Sequence, residues 1–530
     1  MTRSGLAGET PEGIARAVRE ALAVDAEEFL GLVEPEAERL KRDLRAGAFD
    51  NAEPLVGLEH EFHVLDRADS SLRRIRRGLL DLVGLEPELG RHNAELGTRP
   101  QPLNEFGLDA QLREVQARVE ITGRRLAREG LRLWSDGVAT VGPREESIVD
   151  YFEDAVDVDG VRVAHNASPA LRYHLLANGP LETGRRLSAP GVDYRSGTIL
   201  PTSLTASIQP HYQVPRATDL PERFGYALRV AGPLLALAVN APFYPPALYE
   251  ADDHAVVLDD GPQELRVPTF EGTINPLDPA DGGADTGPGA TGKVRFPRDV
   301  ATVEAAVDRL VADPPAVPRR VDGTGRFDDR HRHLRAKHGS YWRWVRPVFE
   351  APTRREAHVR IEFRALPAQP TIRDSIALLA AFAGLMEALP AYDHPVADLA
   401  WTAARENFYA AVREGLDADL AWILADGEGT TDADRVLGEL LAYARDGLEL
   451  RGIDRATADG YLRPLSTRLE TGVTPAGWKR RLARRHVDAG ASVADAIRAT
   501  HDAAVAQQSG TLVRGTFADW ATDPPLTGAE

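Results

Sequence analysis

Apolar residues recur at helical spacing from early in the chain. Over 11–46, Ile14, Val18, Ala21, Leu22, Phe29, Leu30, Val33 and Leu40 form one stripe. This predicts two helices with a break at Glu34-Pro35. From residue 51 to about 245 the period shortens towards two. Turn signals such as Gly97-Thr98-Arg99-Pro100 and Asn178-Gly179-Pro180 separate the segments, and one helix is expected over 109–133. Residues 246–330 are rich in Gly, Pro and Asp, and 275–292 reads as a long mobile loop, expected to act as a lid. After Asp374 the pattern is almost wholly helical. Ile376, Leu378, Leu379, Phe382, Leu385 and Met386 share a face, and further helices are expected near 395–425, 431–450, 454–471 and 491–507.

Three period-two segments carry polar rows. In 56–65, Leu58, His60, Phe62 and Val64 alternate with Glu59, Glu61 and His63. In 203–213, Ser203, Thr205, Ser207, Gln209, His211 and Gln213 share one side, against Leu204, Ala206, Ile208, Pro210 and Tyr212. In 358–366, Val359, Ile361 and Phe363 alternate with His358, Arg360, Glu362 and Arg364. A fourth segment, 91–96, puts Asn93 and Glu95 on one face. Side chains two apart on a strand lie ~6.6 Å apart on the same face. A solvated sheet face accounts for any one such row, but solvated faces usually mix Thr, Lys, Glu and Arg. Here several strands repeat Glu, Gln, His and Arg.

Packed carboxylates repel one another unless cations lie between them. Glu with Gln and His, and no thiolate, suits a hard oxygen-seeking cation such as Mg²⁺. Arginine on a neighbouring strand suits bidentate recognition of phosphate or carboxylate. Together these point to phosphoryl transfer, in which a protein mainly positions reactants and neutralises developing charge.

Composition narrows the classes. The 530 residues contain no cysteine, which excludes disulfide scaffolds, Cys-ligated metal and thiol catalysis. A net charge of −18 argues against a nucleic-acid or membrane-surface binder working by bulk charge. No run reaches the ~18 consecutive apolar residues of a membrane span, and Met1 to Glu12 has no apolar signal region, so the expected location is the cytoplasm. Small-molecule substrates are the expected partners, with oligomeric state open. Gly287, Gly292 and Lys293 match the start of a P-loop, but Val294 stands where Ser or Thr should follow, and Pro288 sits inside.

Six elements, in order, resemble glutamate–cysteine ligase family 2, the plant and proteobacterial type within the carboxylate–amine ligases of glutamine-synthetase-like fold. They are Gly57-Leu58-Glu59-His60-Glu61, Ala94-Glu95-Leu96-Gly97-Thr98-Arg99-Pro100, Arg172-Tyr173-His174-Leu175, Thr205-Ala206-Ser207-Ile208-Gln209, Asn240-Ala241-Pro242-Phe243 and Val359-Arg360-Ile361-Glu362-Phe363-Arg364. The resemblance implies an ATP-dependent ligase making γ-glutamylcysteine through an acyl phosphate, and hence a part in thiol biosynthesis. It implies an α+β fold: a curved antiparallel sheet with a polar concave active-site face, helices on the other face, and a helical C-terminal region.

By that resemblance Glu59, Glu61, Glu95 and Glu362 hold Mg²⁺, with Gln209 completing a metal or phosphate contact. Arg364, with Arg360 beside it, acts on the transferring phosphoryl group. Arg172 and Tyr173 lie along the substrate pocket, and Thr205, Ser207 and His211 are further candidate substrate contacts. The expected organisation is a helical extension (1–50), a catalytic core (51–374) and a helical region packed on it (375–530). The chain departs from the family pattern at Ala365-Leu366-Pro367, at Pro210-His211-Tyr212 and at Gly225. These departures keep open a different acid or amine, a silent nucleotide- or metal-binding homologue, and a metal-dependent hydrolase.

Overall fold

The period-two segment at 56–65 becomes the longest strand, β1 (Leu55–Asp66), in the middle of the sheet. In the computed structural model, which describes residues 10–180, 183–250, 255–276 and 292–520, eight further strands complete its sheet. They are β2 (Glu86–Pro87), β3 (Asn93–Gly97), β4 (Gln101–Pro102), β5 (Leu131–Trp134), β6 (Ser207–Val214), β7 (Val345–Glu350), β8 (His358–Phe363) and β9 (Leu366–Pro367). The order is β7–β8–β6–β1–β3–β2, with β4 and β5 also on β1 and β9 on β6. Every pairing is antiparallel, and the sheet curls into a half-barrel. The class is α+β, with a helical C-terminal region.

Alternation decides which face is dry. Leu58, Phe62, Val64, Ile208, Tyr212, Val359, Ile361 and Phe363 are all buried. Helix Ile372–Ala391 lies against them, its Phe382 ring stacked on Phe363 at 4.5 Å and its Glu387 accepting the Tyr212 hydroxyl. This helix is long and apolar enough to cross a membrane, but 83% of its apolar window is buried inside the chain. A second helix, Ala433–Leu450, packs closely on it: a Cβ on Gly447 would meet the Gly384 carbonyl oxygen at 1.8 Å, so only glycine permits the approach.

Several boundaries differ from the periodicity. The break expected at Pro35 lies instead before Asp25, which caps a helix running Ala26–Arg45 through the proline. The helix expected over 109–133 is Glu105–Ala127; Gly130, at φ 72°, turns the chain into β5. The expected 395–425 helix stops at Glu414, where Gly415 takes φ 62°. Helix Pro475–Asp488 carried no separate periodic signal.

The row expected from Ser203 begins only at Ser207. Residues Leu200–Leu204 form a 3₁₀ turn, so Thr205 spends its hydroxyl on the Thr202 carbonyl (2.9 Å) and leaves the polar row. Residues 277–291 of the expected lid lie outside the described residues. Lys293, from the P-loop-like match, is buried in an ion pair with Asp313 and donates to the Pro314 carbonyl at 2.6 Å.

Buried histidines set the acid response of this fold. Burial lowers His60 to about 3, and His92, His174, His331, His338 and His501 to about 4. The unfolded chain protonates these groups near 6.5, before the folded chain does. Each therefore removes up to about 1.4 kcal/mol of stability per pH unit below 6.5 until its folded value is reached. Glu59, Glu264 and Glu271, pushed up to about 7 chiefly by burial, act the other way: the folded state takes up their protons first. His63 and His211 are lowered as well, and Glu61, Glu95 and Asp136 raised, so lowered histidines still outnumber raised carboxyls and the melting temperature should fall between about pH 7 and pH 5. A melting temperature constant or rising over that window would contradict this balance.

Candidate active site

The register gathers the polar rows. Glu59 on β1 lies opposite Gln209 on β6, and Glu61 lies opposite Glu95 on β3. His211 on β6 lies opposite Glu362 on β8, which lies opposite Arg346 on β7. Directly opposed residues share a face, so one polar surface runs across five strands.

Its centre is tightly bonded. Glu362 accepts Arg346 through both oxygens, Nε at 3.0 Å and Nη2 at 3.1 Å, and also Arg364 Nη1 at 2.6 Å. The same Nη1 donates to Gln209 Oε1 at 2.6 Å. Gln209 Nε2 in turn donates to Glu61 Oε1 (3.0 Å) and Ser207 Oγ (3.2 Å), and the Ser207 amide donates to Glu61 Oε2 (2.7 Å). Glu61 and Arg364 are thus joined through one amide side chain. Beside them, ligand atoms of Glu59, His211 and Glu362 lie within 4.8 Å of one another. His211 Nε2 is 3.8 Å from Glu59 Oε1 and, although buried, has no hydrogen-bond partner among the described residues.

Charge is divided across the surface. At the β3 end, burial together with Glu59, Glu88 and Glu61 raises the Glu95 carboxyl well above its usual range. Burial works to raise its neighbour Glu88, but the Arg172 guanidinium holds that carboxyl below its usual range. Glu88 accepts Arg172 Nη2 (2.9 Å) and the Tyr173 hydroxyl (2.6 Å). Burial and the neighbouring Glu362 raise Glu59 to about 7, against the pull of Arg364. At the β7–β8 end the guanidinium groups prevail. Burial works to raise Glu362, but Arg346 and Arg364 hold it well below the usual carboxylate range. Burial pushes His211 down to about 3, so its ring is neutral and able to ligate.

The expected residues do not all meet. Glu59, Glu61, Glu95, Gln209, Glu362, Arg364 and Ser207 form the central surface. His211 groups with Glu59 and Glu362 as a ligand-type residue, away from the pocket role expected for it. Arg172 and Tyr173 reach the acidic row only through Glu88. Arg360 donates to Glu350 Oε2 (2.8 Å) and meets His358 Nε2 (2.9 Å), and its charge is also felt at His211 and Glu362. Thr205 is outside the surface.

Sequence reading missed Arg346, Glu88 and Arg266, whose Nη1 holds the Arg364 carbonyl at 2.9 Å. The alternation of Arg346, Val348 and Glu350 with Val345, Pro347 and Phe349 could have revealed the first. Nothing local marks the other two.

These residues fit a divalent cation. The donor set is carboxylate and imidazole, and one imidazole nitrogen is buried without a hydrogen-bond partner among the described residues. Arg364 leaves Nη2 without a protein hydrogen bond among the described residues.

The family match over most of the chain makes this the polar face of an ATP-dependent carboxylate–amine ligase. The family description for glutamate-cysteine ligase family 2 matches residues 55–501, and the chain belongs to that family. Among solved structures, a glutamate–cysteine ligase from Francisella tularensis, in complex with AMP, is similar at TM-score 0.51 and 14% identity. The match covers 88% of this chain and 91% of that one. A bifunctional glutathione synthetase from Pasteurella multocida matches at TM-score 0.48 and 14% identity, over 89% of this chain and 55% of that one. No curated protein matches the sequence.

Proposed function

We propose that the protein joins glutamate to cysteine, forming γ-glutamylcysteine at the expense of ATP and with Mg²⁺, and that it does so in the cytoplasm. The observation that carries this reading is the Glu59–His211–Glu362 cluster, with its unpartnered imidazole nitrogen, set directly against Arg364. In this reading a γ-carboxylate oxygen of glutamate attacks the terminal phosphorus of ATP, and ADP leaves. The amine nitrogen then attacks the acyl carbon, phosphate departs with the C–O bond electrons, and the nitrogen loses a proton.

Glu59, His211 and Glu362, with Glu61 and Glu95, would hold Mg²⁺, which when bound neutralises phosphate charge. Arg364, steadied by Glu362 and Gln209, offers its free Nη2 to the transferring phosphoryl group. Gln209 and Ser207 fix Glu61, and Arg346 fixes Glu362, so both carboxylates meet the reactants without reorganising.

A second reading keeps the chemistry and changes the amine or the acid. It is favoured by Ala365-Leu366-Pro367, which is buried and continues into β9. Hydroxylamine trapping separates the two. With ATP, Mg²⁺ and hydroxylamine, glutamate should give the γ-hydroxamate, and cysteine in place of hydroxylamine should give γ-glutamylcysteine by mass. A hydroxamate from glutamate with no cysteine product would move the reading to another amine. No hydroxamate from glutamate, with one from another acid, would move it to that acid.

A further inference from the structure

The helical side of the molecule holds a second cleft, of about 330 Å³, which is within the range of small-molecule sites. Its walls are helices Glu105–Ala127, Ile372–Ala391 and Arg455–Thr471 and the turn Phe517–Trp520. Because helix Ile372–Ala391 covers the apolar face of the sheet, this cleft is separate from the polar row on the opposite face.

The lining has a definite chemistry. Leu112, Ile376 and Pro464 give it an apolar floor, while Arg373, Tyr461 and Arg463 supply polar groups. No carboxylate lines it, in a chain whose net charge is −18. Arg373 and Arg463 are exposed and make no hydrogen bond or ion pair among the described residues, and the Tyr461 hydroxyl makes no hydrogen bond among them. Carboxylates stand beside it rather than in its lining: Asp109 pairs with Arg113 at 2.7 Å, Asp454 accepts the hydroxyl of the lining Thr457 at 2.5 Å, and Asp374 is turned to Arg468 at 2.7 Å. Two free guanidinium groups over an apolar floor, with a phenol hydroxyl alongside, match an anion carried on an apolar body.

We propose that this cleft binds a small organic anion, its carboxylate or phosphate group clasped between Arg373 and Arg463. The inference is independent of the substrates of the polar face. Isothermal titration of the full chain at low salt, with glutarate and with phenyl phosphate, tests it. At least one probe should bind saturably. That binding should persist in an Arg364→Ala variant and weaken at least about tenfold in an Arg373→Ala/Arg463→Ala double variant.

Binding by glutarate alone assigns a carboxylate ligand, and binding by phenyl phosphate alone assigns a phosphate ester. Since neither arginine has a folded-state partner, the double variant should melt as the wild type does; Arg463→Gln serves as a second variant should it not. No saturable binding of either probe below about 10 mM overturns the proposal. So does binding unchanged in the double variant, or binding abolished by Arg364→Ala.

Discussion

Arg364→Ala is expected to lower kcat by about 10³, the scale on which cationic stabilisation of a transferring phosphoryl group operates. The fold should survive, because Glu362 retains its bidentate partner Arg346 and is not left as a bare buried charge. Arg364→Lys should recover little. An ammonium group cannot hold Glu362 and Gln209 from one nitrogen while presenting a second nitrogen of the same rigid plane outward. Steady-state kinetics beside a thermal melt check this. A kcat within about threefold of wild type would remove Arg364 from the reaction.

Glu59→Gln should separate stability from activity. The carboxyl is raised to about 7 by burial and by Glu362, so above that pH its charge opposes folding. The sign is that of a raised carboxyl: its stabilising proton is present below 7 and lost above it. At pH 8 the glutamine variant should therefore be more stable than wild type by about 1–2 kcal/mol in the absence of metal. It should also lose turnover, and the rise in melting temperature that Mg²⁺ gives the wild type should shrink. Glu362→Gln should behave in the opposite sense, costing about 3–5 kcal/mol because Arg346 and Arg364 lose a shared buried counter-charge. Equal melting temperatures for the two variants would contradict the division of charge across the sheet.

Much of this surface was legible because a strand's period is an even two. Once Glu59 and Glu61 share a face, so must Gln209 with His211 and Glu362 with Arg364, and pairing of apolar faces brings the rows together. What was not legible depends on longer range. Thr205 and Gln209 lie four residues apart, yet a 3₁₀ turn removes only the first, since hydrogen bonds to Thr202 decide it rather than alternation. Glu88 sits beside Glu95 because β2 folds back on β3, where Glu86 opposes Glu95. Alternation puts His211 on the face of Gln209; only the cross-strand register opposite Glu362 sets it beside the carboxylates of the ligand cluster.

The helix through Pro35 shows the opposite limit: packing of Phe29, Val33, Ala37 and Leu40 into the core overrides a local breaker. The missing cysteine has gained a meaning too. A surface built from Glu, His, Gln and Arg needs no thiol, and a chain without one forms no mixed disulfide with a thiol substrate.

The most direct test of the account is phosphate release from ATP and Mg²⁺ in the presence of glutamate, measured with and without a panel of amines that includes cysteine. A carboxylate–amine ligase built on this site should release phosphate in step with amine consumed, and this release should vanish in Glu59→Gln and Arg364→Ala. Phosphate release indifferent to every amine and every acid, or none at all from a protein that binds ATP, would contradict it.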